Sequence, residues 1–335
     1  MKKRRISLLL GALALIVTAW VGLAAARAGL VVRSLQDHPI PFIYLAPRQA
    51  TSVPGVIVAH GFAGSKQLML GYGYVLARAG YGVILGDFNG HGANPAPFDR
   101  DTLPQMLETA RQVLLLQPEV DPSRLALLGH SMGSGLAMNQ ALAHPDRYQA
   151  TVAISPTGAA LTPQLPRNLQ LQAGSGEGPF VRNAQRLLQQ AGGENLNLKE
   201  GLGRELVVVP RVEHISILFS DRSHQAALNW LDRTFAILPE SDQPPEGDRS
   251  YRDRRMVWYG LHLLGWILAL ESLSPAIAPS LEGRPRPSRR PWIGLILSPF
   301  LAAAGLWALS FVISLPDLGG IQVGGALGLW FLIAG

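Results

Sequence analysis

The chain has 335 residues, of which 48% are hydrophobic and 16% are charged; soluble domains carry about 25% charged residues, so this composition favours a membrane component. The formal net charge is +6, but residues 28–240 contain 16 basic and 16 acidic residues, and this neutral centre argues against nucleic-acid binding. The sequence contains no cysteine, which excludes disulfides, thiolate metal sites and a thiol nucleophile.

Residues 1–27 are predicted to form an N-terminal membrane anchor or signal. The basic stretch KKRR at positions 2–5 precedes an uncharged run over residues 6–26, which as a helix is long enough to cross a bilayer core. AAA at positions 24–26 is also compatible with signal-peptidase cleavage, so both interpretations stay open. Either one predicts a cytoplasmic N-terminus and export of the chain that follows.

Residues 28–240 alternate short apolar runs with helical patterns and are predicted to form one α/β domain. The runs GVIVAH, YGVILGDF, RLALLG, ATVAIS, NLQLQAG and ELVVVP have the uninterrupted apolar character of strands buried on both faces. Helices are predicted at residues 66–79, 103–116, 132–143, 179–191 and 223–238. This alternation predicts a mostly parallel sheet with helices on both faces and a ligand site at the carboxyl ends of the strands.

A charged linker at residues 241–255 leads to a C-terminal membrane region at residues 256–335, for which we expect two or three helices. The run over residues 256–270 is short and Glu271 interrupts it, whereas residues 291–316 are uncharged and long enough to span a bilayer, and residues 318–335 are apolar. If the chain returns across the membrane at residue 256, one arginine cluster fits the positive-inside rule and the other does not. The fitting cluster is Arg284, Arg286, Arg289 and Arg290; the other is Arg249, Arg252, Arg254 and Arg255.

The stretch Gly129-His130-Ser131-Met132-Gly133 lies between a predicted strand and a predicted helix. In that context a G-x-S-x-G stretch is typical of a nucleophile elbow, a sharp turn that presents the serine hydroxyl above the sheet edge. Side chains at Gly129 and Gly133 would collide with neighbouring elements, and the start of the following helix favours negative charge beside Ser131. The sequence therefore predicts Ser131 as a nucleophile.

A nucleophilic serine needs a general base, and the base in turn needs an acid that orients it. Of the histidines that follow the elbow, His214 lies on a loop just after the strand run ELVVVP, whereas His224 falls in a helical pattern, so we favour His214. For the acid we favour Glu177, in the loop after NLQLQAG; Glu194 and Asp146 are poorer substitutes. Asp87 follows an earlier strand and is predicted to brace the DFNGHG loop.

An oxyanion hole requires two backbone N–H groups that face the developing negative charge. Met132 supplies one candidate, because it directly follows the serine at the start of a helix. Phe62 supplies the other, in the loop after GVIVA, where Gly61 allows the backbone to approach closely.

These motifs resemble the α/β-hydrolase family in their order along the chain. The resemblance covers residues 40–238 and follows the family's order from oxyanion loop to nucleophile, acid and histidine. The stretches that carry it are, in chain order, AHGFAGS, GDFNGHG, LALLGHSMG, LQAGSGEGPF and VVVPRVEHISIL. The pattern is most similar to small lidless serine esterases and the dienelactone hydrolase-like group. The resemblance implies Ser131 as nucleophile, His214 as base, Glu177 as acid and the Phe62 and Met132 amides as oxyanion donors.

The expected function is that of a membrane-anchored serine hydrolase, which cleaves carboxylic esters or thioesters through an acyl-enzyme. We expect the hydrolase domain on the non-cytoplasmic side, a small-molecule or lipid-like ester as substrate, and no metal or cofactor. The short connection between ATVAIS and NLQLQAG leaves no room for a helical lid and predicts an open, shallow site. Two alternatives stay open: a peptidase of the same fold, and a non-catalytic, membrane-tethered binding module.

Overall fold

The computed structural model describes residues 2–35, 40–235, 247–277, 291–312 and 329–330. The chain divides into two compact units. One is Gly29–Asp253, called here the hydrolase unit; the other combines Met1–Ala28 with Arg254–Gly335 and is called the helical unit.

The hydrolase unit is built on an eight-stranded sheet of order β1-β2-β4-β3-β5-β6-β7-β8. Strands β3 to β8 run parallel to one another, whereas β2 is antiparallel to both β1 and β4. This confirms the predicted mostly parallel sheet. The strands are β1 (Leu30–Leu35), β2 (Phe42–Pro47), β3 (Val53–Ala59), β4 (Gly82–Gly86), β5 (Val120–His130), β6 (Ala150–Ile154), β7 (Leu169–Gly174) and β8 (Arg204–Val209).

The six strand runs identified in the sequence correspond to β3 through β8, and the two that were not identified lie at one edge. All residues of β3, β6 and β7 are buried, because helices cover both faces of a parallel sheet. Strand β1 is only partly buried and contains Arg33 and Ser34, so it lacks the continuous apolar run that marks a central strand.

Five helices flank the sheet: α2 (Leu70–Arg78), α3 (Leu103–Leu115), α4 (Met132–Ala143), α5 (Gly178–Gln190) and α6 (Asp221–Phe235). Helix α2 packs with α6, and α3 packs with α4. The predicted helix over residues 66–79 is shorter in the structure, because residues 66–69 form a turn that belongs to the loop after β3. The connection between β6 and β7 contains no helix, so no lid is inserted there.

The helical unit contains α1 (Lys2–Arg27), α7 (Arg255–Ile277) and α8 (Pro291–Leu309). Helices α1 and α7 pack side by side, and small residues make the close approach possible. Ala12 and Ala19 are fully buried, and a Cβ at Gly265 would lie 2.7 Å from Ile16 Cγ1. A Cβ at Gly22 would likewise overlap the indole of Trp258.

Among the described residues, two helical segments are long and apolar enough to cross a membrane, Lys3–Arg27 and Arg255–Leu273. Length and composition are the only basis for this statement, and signal sequences have the same character. Helix α7 continues through Glu271, where the sequence suggested an interruption. Helix α8 covers residues 291–309 of the expected span over residues 291–316, and residues 313–316 lie outside the described part of the chain.

The remaining expectations for the C-terminal region fall largely outside the described residues. These are the apolar run at residues 318–335, of which only residues 329–330 are described, and the arginines at positions 284–290. Within the linker predicted for residues 241–255, residues 247–253 belong to the hydrolase unit and bond to its helices. Arg249 forms an ion pair with Asp232, and the Asp248 amide donates to the Arg78 carbonyl.

Candidate active site

Ser131 lies at a sharp turn between β5 and α4. Its backbone has φ 52° and ψ −119°, a conformation that a non-glycine residue adopts only when its surroundings impose it. The Ser131 amide donates to the Ile154 carbonyl at 2.9 Å, and the Ser134 hydroxyl donates to the Ser131 carbonyl at 2.5 Å. These bonds hold the strained turn so that the side chain projects at the carboxyl end of the sheet.

The elbow requires glycine at positions 129 and 133, because neither position has room for a Cβ. A Cβ at Gly129 would lie 2.1 Å from the Gly133 carbonyl oxygen, and a Cβ at Gly133 would lie 2.4 Å from the Ala59 carbonyl oxygen. Both distances are far below van der Waals contact, and the opposing atoms belong to the backbone. Any other residue at either position would therefore displace β3 or the first turn of α4.

The structure brings Ser131, His214 and Glu177 together. His214 lies on the loop after β8, with Nε2 3.1 Å from Ser131 Oγ and Nδ1 2.8 Å from Glu177 Oε2. In the arrangement that satisfies both contacts, the serine hydroxyl donates to Nε2 and the Nδ1–H donates to the carboxylate. This is the geometry in which a histidine can accept a proton from serine while an acid orients the ring.

Glu177 is 6% exposed and its carboxylate is fully engaged. Oε1 accepts hydrogen bonds from Ser155 Oγ at 2.7 Å and from the Gly174 amide at 2.6 Å, while Oε2 faces His214. Burial by itself would raise the pKa of Glu177, but the hydrogen bonds from His214, Gly174 and Ser155 outweigh it and hold the pKa below the ordinary value. The carboxylate is therefore ionised at neutral pH.

The weaker alternatives considered from the sequence lie elsewhere. His224 is 1% exposed and its Nε2–H donates to the Leu218 carbonyl at 2.8 Å, within the packing of α6. Glu194 and Asp146 are exposed. Asp87 forms a buried ion pair with Lys66 and accepts the Lys66 amide at 2.7 Å, so it braces the loop after β3.

The loop after β3 approaches the nucleophile closely. A Cβ at Gly61 would lie 3.1 Å from Ser131 Cβ, a distance that requires glycine or a shift of the elbow. His60 secures this loop, since its Nδ1–H donates to the Gly61 carbonyl at 2.8 Å and its Nε2 accepts the Phe88 amide at 3.0 Å. Burial lowers the pKa of His60 to about 4, so the ring is neutral.

The two amides predicted to form an oxyanion hole make no hydrogen bond to the described protein atoms. Within the part of the chain that the structure describes, neither the Phe62 N–H nor the Met132 N–H has a hydrogen-bond acceptor. Met132 adjoins Ser131 at the start of α4, and Phe62 follows Gly61 in the close-approaching loop. Free amide donors beside a serine hydroxyl are what a developing oxyanion needs.

A small apolar cavity of about 100 Å³ adjoins this loop. Its side-chain walls come mainly from Leu68, Met69, Ile215 and Leu218, and the backbone of residues 60–64 closes one side. The mouth is open, since the lining residues Phe62 and Ile215 are 45% and 48% exposed. Two larger surface cavities, of about 440 and 460 Å³, contain none of these residues.

Three residues of the site were not singled out from the sequence. Ser155 directly follows β6 and donates to Glu177, so its position after a strand was the available signal. Phe180, in the first turn of α5, stacks on the His214 ring with centroids 4.4 Å apart and an interplanar angle of 22°. His130 adjoins the nucleophile in the motif, but its role depends on a contact 84 residues away.

Fold, elbow and residue order together define a hydrolase of the α/β type. The family model of the alpha/beta hydrolase fold matches residues 54–273, more than half of the chain. The chain therefore belongs to the α/β-hydrolase family, as the motifs indicated.

Individual relatives match shorter regions. The chain is 32% identical over 102 residues to an uncharacterized protein of Mycobacterium tuberculosis, which covers 30% of this chain and 36% of that protein. It is 33% identical over 102 residues to an epoxide hydrolase of Caballeronia sordidicola, covering 30% and 31% respectively. The matched region thus spans about a third of the length of these curated relatives.

Solved structures to which the chain is similar include a dienelactone hydrolase from Anabaena variabilis, at 19% identity and a TM-score of 0.44. A protein from Thermoplasma acidophilum described as a predicted CIB-like hydrolase has 16% identity and a TM-score of 0.48. Each comparison covers 60% of this chain and 97% of the other.

Proposed function

We propose that the protein is a membrane-anchored serine hydrolase that cleaves carboxylic esters or thioesters through an acyl-enzyme intermediate. The hydrogen-bonded chain from Glu177 through His214 to Ser131, located at a strained elbow, is the observation that carries this proposal. The strained backbone of Ser131 costs folding free energy, and such strain is found mainly at functional sites. A base within 3.1 Å and a buried acid behind it are the groups that activate a serine nucleophile.

In the first half-reaction, Ser131 Oγ attacks the carbonyl carbon while His214 Nε2 takes the hydroxyl proton. The carbonyl oxygen becomes negatively charged and receives the N–H groups of Phe62 and Met132, assisted by the positive end of α4. His214 then gives its proton to the departing alcohol or thiol, which leaves the acyl group on Ser131. Ionised Glu177 stabilises the imidazolium between these two proton transfers.

In the second half-reaction, water takes the place of the alcohol. His214 accepts a proton from the water, the hydroxide adds to the acyl carbon, and the oxyanion again lies against the Phe62 and Met132 amides. Collapse of this intermediate returns the proton from His214 to Ser131 and releases the carboxylic acid. The proposed reaction uses no metal and no cofactor.

The mouth of the site favours a small-molecule or lipid-like ester whose larger part remains outside. The cavity beside the loop after β3 holds about 100 Å³, enough for a short carbon chain, and its walls are apolar. Phe62 and Ile215 flank the opening with 45% and 48% of their surfaces exposed. A substrate can therefore insert one short apolar group and extend the rest across an open surface.

The direct test compares Ser131→Ala with the wild-type full chain in hydrolysis of p-nitrophenyl acetate and butyrate. We expect turnover to fall to the uncatalysed background and labelling by a fluorophosphonate probe to disappear, because both require the activated hydroxyl. Ser123→Ala is the matched control, since Ser123 is exposed and lies near the start of β5, at the opposite end of the strand from Ser131. Undiminished turnover in Ser131→Ala would contradict the proposal.

The same assay separates the alternative functions. Cleavage of a matched p-nitroanilide that depends on Ser131 would identify a peptidase, because amides are intrinsically less reactive than esters. An unlabelled, well-folded wild-type protein would identify a binding module on the hydrolase scaffold.

Membrane anchoring is the second part of the proposal. Helices α1 and α7 precede and follow the hydrolase unit along the chain, and KKRR precedes α1. If both helices cross the bilayer, the two ends of the hydrolase unit lie on one side, and the basic N-terminus assigns that side to the exterior. A membrane-impermeant fluorophosphonate probe should therefore label Ser131 in intact spheroplasts of a bacterial host. Labelling only after lysis would reverse the orientation, and release by alkaline carbonate would refute the anchor.

A further inference from the structure

The residue that precedes the nucleophile contacts the residue that carries the base. His130 is 2% exposed, and its Nε2 lies 2.9 Å from the backbone carbonyl oxygen of His214. A carbonyl oxygen can only accept, so Nε2 must carry the hydrogen and donate it. This bond joins the elbow directly to the main chain of the base loop, defined as residues 211–216.

The same imidazole also contacts the loop after β3. A Cβ at Gly61 would lie 2.9 Å from His130 Nδ1, so the ring edge lies against the Gly61 backbone. The centroids of the His130 and His214 rings are 4.7 Å apart, at an interplanar angle of 44°. One buried ring therefore touches three segments that contribute to catalysis: the elbow, the loop of the oxyanion donor Phe62, and the base loop.

The base loop is supported from two directions. On the acid side, the Gly176 amide donates to the Val212 carbonyl at 2.9 Å and the Arg211 amide donates to Ser175 Oγ at 2.8 Å. On the elbow side, among the hydrogen bonds of the described residues, only the His130 bond accompanies the Ser131–His214 contact itself. Without His130, the base loop would be joined to the elbow only by the Ser131–His214 contact, which at 3.1 Å is the longer of the two hydrogen bonds of the triad.

The protonation state of His130 suits this role. Burial, then the nearby His214, lowers the pKa of His130 to about 4, so the ring is neutral in the working range of a serine hydrolase. A neutral ring keeps a single Nε2–H on the carbonyl. It also adds no positive charge beside the His214 imidazolium that forms during catalysis.

We propose that His130 is a positioning residue, whose Nε2–H holds the His214 backbone so that the base stays within hydrogen-bonding distance of Ser131. The inference rests on the proposed serine hydrolase function and adds to it a residue that acts through His214. Acyl transfer depends steeply on such alignment, since misplacement by about 1 Å can cost roughly 100-fold in rate.

The test compares His130→Gln, which keeps an amide donor near the position of Nε2, with His130→Met, which has similar size and no donor. In the full chain, we expect His130→Met to lower kcat for p-nitrophenyl butyrate by about 30-fold with KM changed less than about 2-fold, and to slow fluorophosphonate labelling to the same degree. His130→Gln should recover most of this loss. His130→Asn, whose amide is too short to reach the carbonyl, serves as a second donor-deficient variant if His130→Met does not fold.

Equal losses in the Met and Gln variants would show that packing rather than the donor matters, and would overturn the inference. An unchanged kcat in a folded donor-deficient variant would overturn it as well. Ser131→Ala is measured in parallel. If Ser131→Ala remains active, the proposed function fails. If it is inactive while His130→Met is fully active, only the positioning role fails.

Discussion

The hydrolase unit and the helical unit bury their interiors in opposite ways. The hydrolase unit encloses polar side chains, and His60, Asp87 and Glu177 are each satisfied by hydrogen bonds or an ion pair. In the helical unit, α1 and α7 bury alanines against each other, and their large apolar side chains face outward. Trp20 and Leu263, for example, are 65% and 62% exposed.

This contrast separates two tasks. Buried polar networks hold reactive groups at fixed distances in a medium of low dielectric, which is what catalysis needs. Apolar side chains turned outward from a tightly packed helix pair suit a surrounding of lipid, where small residues supply the helix–helix contact. The substitutions below distinguish the two kinds of interior, beginning with the largest expected effect.

Glu177→Gln should produce the largest loss among these variants. The amide keeps the volume of the carboxylate but removes the negative charge that faces His214 Nδ1 at 2.8 Å. We expect kcat for p-nitrophenyl butyrate to fall by about 1,000-fold, because the imidazolium loses its counter-charge and the favoured tautomer. The matched control is Glu194→Gln, at an exposed glutamate, which should retain full activity. Comparable losses in both variants would contradict the assignment of Glu177.

Gly129→Ala and Gly11→Ala compare one added methyl group in the two units. At Gly129 the Cβ would lie 2.1 Å from a backbone oxygen, whereas at Gly11 no atom lies within 4 Å. We expect Gly129→Ala to destabilise the hydrolase unit by about 3 kcal/mol and to lower activity by at least about 100-fold. Gly11→Ala should not destabilise the protein, and because Ala has the higher helix propensity it should raise the free energy of unfolding by up to about 1 kcal/mol.

Chemical denaturation monitored by intrinsic fluorescence, together with the esterase assay, measures both effects. A fully active Gly129→Ala protein would contradict this prediction. It would show that the backbone around the elbow can shift to make room for a Cβ.

Much of this contrast could be predicted from the sequence, because it depends on local patterns. The elbow motif, the strand run before Ser131 and the uncharged run of α1 are each contiguous. The features that could not be predicted depend on distant segments. They are the His130 bond to His214, the Ser155 bond to Glu177, and the pairing of the partly buried strand β1. No local pattern encodes these, since each depends on the register in which the sheet brings separate loops together.

Acid should weaken the hydrolase unit through two buried histidines. The folded-state pKa values of His60 and His130 are each lowered to about 4 by burial, below the unfolded value of about 6.5. Between these values the unfolded chain binds more protons than the folded one, so stability is complete above pH 6.5 and falls as the pH drops towards 4. The loss is roughly 3 kcal/mol per ring at pH 4. Urea denaturation at pH 7 and pH 5 should show this decrease, and an equal midpoint at both would contradict it.

The smallest effect is expected at the wall of the cavity beside the oxyanion loop. Leu218 is 1% exposed and lines this cavity of about 100 Å³, so Leu218→Ala enlarges a space that otherwise limits the inserted chain. We expect the ratio of kcat/KM for p-nitrophenyl octanoate to that for the butyrate to rise by roughly 10-fold, because each buried methylene contributes to discrimination.

Leu263→Ala is the corresponding control, since Leu263 lies on the outward surface of α7 and should leave the ratio unchanged. A ratio that does not move in Leu218→Ala would exclude this cavity as the binding site of the variable chain. A ratio that moves in both variants would instead show that the helical unit contributes to substrate selection.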